Sequence, residues 1–252
     1  MARKARKKSK SGIYHVMMRG INKQLIFEDE GDKRKYLELL VKCKTKSEFK
    51  LFAFCLMDNH VHLLIKESEV PISDIIKRIS SSYVYWFNKK YDRCGHLFQE
   101  RFKSENVEAR AYFLTVLRYI HQNCLKAGLA STVFNSKWTS IHEYYKNSNI
   151  IDTAFTLQLF SSDPNKAIHS FTEFIQQNND DKCLEDLPSN RKTDNEVREY
   201  LKTLGIQNSS ELQQMHKEFR NGILVEIKKL DGVTIRQLSR ITGVSKSVID
   251  RI

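Results

Sequence analysis

At 252 residues the chain can bury one substantial core plus a smaller second unit, and 42 Lys+Arg against 30 Asp+Glu give a formal net charge of +12 that favours a polyanionic partner, nucleic acid first. Its five cysteines are odd in number and never spaced Cys-x-x-Cys, which argues against a disulfide framework or a zinc knuckle and for a reducing compartment. No apolar run could span a bilayer and the basic start leads into no hydrophobic segment, so a cytoplasmic protein with no membrane partner and no secretory signal is expected.

Residues 1–12 carry Arg3, Lys4, Arg6, Lys7, Lys8 and Lys10, a basic arm expected to be disordered alone and to seek phosphates. A first strand is expected over residues 13–19, with Tyr14, Val16 and Met18 on one face and His15, Met17 and Arg19 on the other. A helix then runs from Asp32 to about Lys46, with Tyr36, Leu39, Leu40 and Cys43 at helical spacing. The apolar run 49–57 reads as a central strand, and Asp58-Asn59 turns it into a second strand over 60–66. Alternation along that strand puts His60 and His62 on one face and Val61, Leu63 and Ile65 on the other. Two imidazoles side by side on a rigid strand suit a metal ion, though pairs so spaced are more often polar-face or hydrogen-bonded histidines.

Pro71 opens a further helix to about Lys90, carrying Ile72, Ile75, Ile76, Ile79, Tyr83, Trp86 and Phe87. After a polar break at 92–95 come a fourth strand over 102–107 and a helix from Ala109 to about Lys126, stopped by Gly128. The order β-α-β-β-α-β-α specifies an α+β fold: a ferredoxin-like split βαβ antiparallel sheet with one added helix. On that helix Phe113, Leu117, Ile120 and Cys124 form the buried face, while Tyr119 and Asn123 pair at i and i+4 on its flank. An amide oxygen is a hard ligand that could complete a site begun by two imidazoles. Tyr112 reads as an amphipathic core residue, and His121 as structural or solvent-facing, pointing away from Tyr119.

Beyond Asn135, residues 136–145 are expected to cap the first domain. Helices are expected at 154–160, 164–176, 196–204 and 210–230, with 178–195 as a linker rich in Asp, Asn and Ser. Residues 234–252 read as a helix-turn-helix. Ile235, Leu238, Ser239 and Ile241 lie on its first helix, Gly243-Val244 at the turn, and Val248 and Ile249 turn inward from the second. Ser245, Lys246, Ser247 and Arg251 would then meet a DNA groove or phosphates. The expected division is a basic arm at 1–12, a first domain at 13–150 and an all-α C-terminal region at 151–252.

Three stretches together resemble a known family. They are Asp58-Asn59-His60-Val61-His62-Leu63-Leu64-Ile65, then Gly95-His96-Leu97-Phe98-Gln99-Glu100-Arg101-Phe102-Lys103-Ser104, then Tyr119-Ile120-His121-Gln122-Asn123 with Lys126-Ala127-Gly128-Leu129. Their order and character are similar to the single-tyrosine HUH (IS200-like) transposases, specifically the REP-associated tyrosine transposases. The resemblance implies a nuclease domain acting on single-stranded DNA beside hairpin, repetitive palindromic elements. It implies Tyr119 as nucleophile, forming a 5′-phosphotyrosine link and freeing a 3′-OH, and His60, His62 and Asn123 as ligands of Mg²⁺ or Mn²⁺. Two departures stand out: Cys124 where the family often has proline, and Glu100 where it often has glycine, neither a proposed ligand.

The basic arm, Arg19, Gln99, Arg101 and Lys103 are candidates for gripping the DNA backbone, and Phe98 for stacking on bases; Trp86 reads first as core. Such a protein would work in the cytoplasm at the nucleoid, with monomer and homodimer both open. The alternative is a sequence-specific DNA-binding regulator on a nuclease-like scaffold, resting on residues 234–252 and the net charge. A zinc hydrolase would need a carboxylate or a further histidine to complete the site, and none sits at a suitable position.

Overall fold

The alternating strand Ile13–Arg19 (β1) lies inside a four-stranded antiparallel sheet of order β2-β3-β1-β4, whose other members are Lys50–Met57 (β2), His60–Lys66 (β3) and Lys103–Asn106 (β4). The computed structural model describes residues 7–99, 101–146, 150–181, 183–184, 192, 194–230 and 232–252. Arg3, Lys4, Arg6, Glu100 and much of the expected 178–195 linker lie outside the described residues. Residues 9–11 are not free, contrary to the expectation for the arm. The backbone N–H groups of Lys10 and Ser11 each donate to the Glu108 carboxylate at 3.0 Å, and Ser9 N–H donates to the Tyr14 hydroxyl at 2.9 Å.

Between strands run Glu30–Ser47 (α1), Ile72–Lys90 (α2) and Arg110–Lys126 (α3). The α1 helix begins two residues before the expected Asp32 because Asp29 and Asp32 form a reciprocal capping box. Gly128, at φ 70°, ends α3, with Gly128 N–H donating to Leu125 O and Leu129 N–H to Cys124 O. α1 and α2 pack on each other over the sheet face that carries Val16, Met18, Val61, Leu63 and Ile65, all buried. α3 crosses the opposite face, the one that carries the histidines. Fold class and topology are those expected from the order of elements.

The chain divides into compact units at 185/186 rather than at the expected 150/151. The reason is apolar: Pro164–Gln176 (α5), which follows Thr153–Gln158 (α4), buries Phe171 and Ile175 in the same core as the sheet. Ser140 belongs to the same unit, its hydroxyl accepting from Phe54 N–H and touching the His121 ring.

The second unit has its own core around Val197, Leu201, Leu212, Leu224, Ile227, Leu238 and Ile249. It comprises Asp194–Thr203 (α6), Ser209–Gln214 (α7), Lys217–Lys228 (α8), Ile235–Thr242 (α9) and Lys246–Arg251 (α10). The expected 210–230 helix is broken at Met215 and His216, both in extended backbone. α9 ends at Gly243, φ 71°, followed by α10. No helix among the described residues is long and apolar enough to cross a membrane.

Candidate active site

Register does what alternation alone could not: it chooses which residues of neighbouring strands meet. Met17 sits opposite His62 and Arg19 opposite His60, so His15, Met17 and Arg19 share a sheet face with His60 and His62. β2 adds Cys55, opposite His62, and Met57, opposite His60; β4 adds Lys103 and Glu105. α3 lies obliquely over this face. Near its start the Tyr112 hydroxyl donates to the Glu105 carboxylate. Midway, the Tyr119 ring stands edge-on to His62 and His15, with centroids 5.6 and 5.8 Å apart. Further on, Cys124 Sγ lies 3.6 Å from both Cys55 Sγ and Met57 Sδ. Asn123, the residue before Cys124 on α3, is half-buried.

The imidazoles are held by their inner nitrogens. His60 Nδ1–H donates to Asn59 Oδ1 at 2.7 Å, which places the lone pair of the neutral ring on Nε2. His62, 1% exposed, has its Nδ1 2.9 Å from His15 Nε2. Burial holds His62 well below the usual imidazole range, with the neighbouring His15 and His60 adding to the effect. Burial alone pushes His15 down to about 3. Both rings are therefore neutral at pH 7, the state a ligand needs.

Among the described residues no cluster of three or more His, Cys, Asp or Glu is placed to hold a metal ion. The His60 and His62 rings, each with its Nδ1 engaged in a hydrogen bond, fit the use of Nε2 as a metal ligand. Tyr119 is 6% exposed, and Lys126 Nζ lies 5.8 Å from its ring centroid.

The segment after α5 ties down the helix bearing Tyr119. Arg118 holds the Asp181 carboxylate with Nε at 2.7 Å and Nη2 at 3.0 Å, and packs over Phe174. Gln122 Nε2 donates to Ile175 O and Gln177 O, while Asn179 Nδ2 donates to Gln122 Oε1. Lys126 Nζ donates to Asn179 Oδ1 at 3.2 Å. Residues 118, 122 and 126 form one stripe at successive turns, immediately beside Tyr119 and Asn123.

Of the other candidates, Arg101 and Lys103 are exposed, and with Lys7, Ser104 and Asn106 they line a groove along β4. Gln99 is exposed, its N–H donating to Arg19 O. Phe98 and Trp86 are partly buried against the core. Ser245, Lys246 and Arg251 are exposed in the second unit. His121 is structural: it is fully buried between Leu117 O and Ser140 Oγ, at 2.9 Å each. His15 is the residue that sequence reasoning left without a partner, although its parity on β1 already put it on the face that β3 could share.

Residues 8–123 match the family model described as "Transposase IS200 like". A solved structure described as a REP-associated tyrosine transposase bound to a REP hairpin is 14% identical, with a TM-score of 0.51 over 73% of this chain and 96% of its own, a likeness of fold. A putative transposase from Deinococcus radiodurans is 18% identical, with a TM-score of 0.35 over 48% of this chain and 97% of its own. No curated protein matches the chain.

Proposed function

We propose, from the match of residues 8–123 to the IS200-like transposase model, a metal-dependent endonuclease and strand transferase acting on single-stranded DNA beside hairpins. The observation that carries the reading is the packing of Tyr119 against His62, two residues from different elements brought together under one helix. The hairpin partner is suggested by the REP hairpin bound to the protein of similar fold.

In this scheme the Tyr119 oxygen attacks the scissile phosphorus as it loses its proton. The P–O3′ bond breaks, the 3′ oxygen takes up a proton, and the 5′ phosphate remains esterified to Tyr119. A 3′-OH attacking that ester reverses the bond changes and joins strands, with no outside energy source. A phenol of ordinary pKa near 10 is a weak nucleophile at neutral pH, so it must be positioned and the phosphate's charge offset. His60, His62 and Asn123 would hold Mg²⁺ or Mn²⁺, which when bound withdraws charge from the scissile phosphate. Asn123 and Tyr119 share α3, so orienting one orients the other, and the Arg118, Gln122 and Lys126 contacts fix that helix. Tyr119 stands beside histidines of its own chain, the arrangement that cleavage within one subunit would use. Arg101, Lys103, Lys7 and Arg19 would grip the backbone, at the nucleoid in the cytoplasm.

Labelled hairpin-bearing single strands with Mn²⁺ should give a detergent-resistant protein–DNA adduct that Tyr119→Phe lacks; an adduct from the Phe variant would remove Tyr119 from the role. A second reading, sequence-specific binding through α9 and α10, draws on the turn at Gly243 and the exposed Ser245, Lys246 and Arg251. Ending the chain at residue 185 separates the two. Cleavage that persists with altered site choice makes those helices a specificity element of the enzyme. Hairpin binding that is lost with no cleavage in either form favours the regulator.

A further inference from the structure

His15 is fully buried on the sheet face beneath Tyr119, yet the cleavage scheme gives it no task. We propose that His15 is a positioning residue that accepts a hydrogen bond from His62 and so holds His62 in its Nδ1–H tautomer, an inference that rests on reading His60, His62 and Asn123 as metal ligands.

A neutral imidazole has one N–H and one lone pair, and a ring that binds a cation through Nε2 must carry its proton on Nδ1. For His60 the Asn59 amide oxygen dictates this arrangement, since an oxygen can only accept. For His62 the partner is another imidazole, with His62 Nδ1 and His15 Nε2 2.9 Å apart. One nitrogen must donate and the other accept. If His15 Nε2 donates, the His62 proton sits on Nε2 and the ring cannot bind a cation there. If His15 Nε2 accepts, the His62 lone pair lies on Nε2 and the His15 proton lies on its own Nδ1.

His15 Nδ1 is buried with no partner among the described residues, so it does not fix the direction from its side. The pair is therefore poised, and a cation at His62 Nε2 selects the arrangement in which His15 accepts. The geometry supports a positioning role in a second way. The His15 ring lies 5.2 Å from His62 and 5.8 Å from Tyr119, centroid to centroid, so it sets the ring plane of one and buttresses the other. A buried hydrogen-bond partner behind a metal-binding histidine typically changes metal affinity by 10–100-fold.

The test measures Mn²⁺ affinity of the full chain by electron paramagnetic resonance, with thermal unfolding alongside. His15→Leu should weaken Mn²⁺ binding by about 10–100-fold while the chain still unfolds cooperatively with a modestly lowered Tm, because it removes the unpartnered His15 Nδ1 but leaves the buried His62 Nδ1 without its partner. His15→Gln, whose Oε1 can only accept and takes the place of Nε2, should retain wild-type affinity. His60→Ala serves as the reference and should lose Mn²⁺ binding. Unchanged affinity in His15→Leu, with His60→Ala defective, overturns the role of His15 and leaves the ligand assignment standing. Unchanged affinity in His60→Ala overturns the ligand assignment and this inference with it. Should His15→Leu fail to fold, ¹⁵N spectra of the wild-type imidazoles with Mg²⁺ decide: His62 protonated on Nδ1 supports the proposal, and His62 protonated on Nε2 overturns it.

Discussion

Replacing Asp32 by alanine should cost the first unit about 3 kcal/mol, the lower end of what breaking a buried ion pair costs. The carboxylate is fully buried, and its Oδ2 accepts from Glu28 N–H at 2.7 Å, Asp29 N–H at 3.3 Å and the Tyr91 hydroxyl at 2.9 Å. Oδ1 accepts from Lys90 Nζ at 2.6 Å, which joins the start of α1 to the end of α2. Losing the capping interaction alone is worth about 1 kcal/mol, and each stranded buried donor adds about as much again. The low end applies because Lys90 keeps Asp29 at 2.7 Å and reaches solvent. In a unit of this size the loss lowers Tm by roughly 6–12 °C.

Asp32→Asn should cost less than alanine, since its amide keeps an acceptor for the backbone N–H groups but turns a donor toward Lys90. Urea titration of wild type, Asn and Ala variants should therefore give that order of midpoints. Exchange at Ile26 and Phe27, whose N–H groups donate to Asp58 O in the turn before His60, should quicken in the alanine variant. A loss below about 1 kcal/mol in Asp32→Ala would refute the reasoning, because a buried carboxylate with four donors cannot be so cheaply removed.

Gly243→Ala combines a left-handed backbone at φ 71° with an added Cβ that would collide with the Gln213 side-chain amide, so it should lower the unfolding temperature of the second unit and leave that of the first. Calorimetry of the full chain resolves the two. Asp181→Ala strands Arg118 on α3 and should cost about 1.5–3 kcal/mol, with faster amide exchange near Gln177 and Asn179. His15 and His121, pushed by burial to about 3 and about 4, bind protons in the unfolded chain before the folded one. Their contribution is complete above pH 6.5 and falls with pH through those lower values, by up to about 1.4 kcal/mol per pH unit each. Proton uptake on unfolding at pH 5 should drop by about one in His121→Gln.

The strands and the hairpin were legible because alternation and the Asp58-Asn59 turn are local signals, and His60 and His62 followed from them. Tyr119 and Asn123 were legible as a helical pair. His15 was not, because its neighbour is set by the β1–β3 register, which depends on the crossover between them rather than on either strand. The stretch after Gln176 read as a linker for its Asn and Asp content. Asn179 and Asp181 instead spend their polar groups on Arg118, Gln122 and Lys126. Composition reports that a residue can hydrogen-bond, and only the fold says with what. The break at Met215 and His216 left no proline or glycine to announce it.

Trypsin cuts after Arg118 and Lys126, and the peptide between them holds Tyr119 as its sole tyrosine. Mass spectrometry of an adduct formed on a cleaved hairpin strand should find the nucleotide on that peptide, joined through the 5′ phosphate of the downstream fragment. DNA found on any other tyrosine, or attached through the upstream fragment's 3′ end, would contradict the assignment of Tyr119.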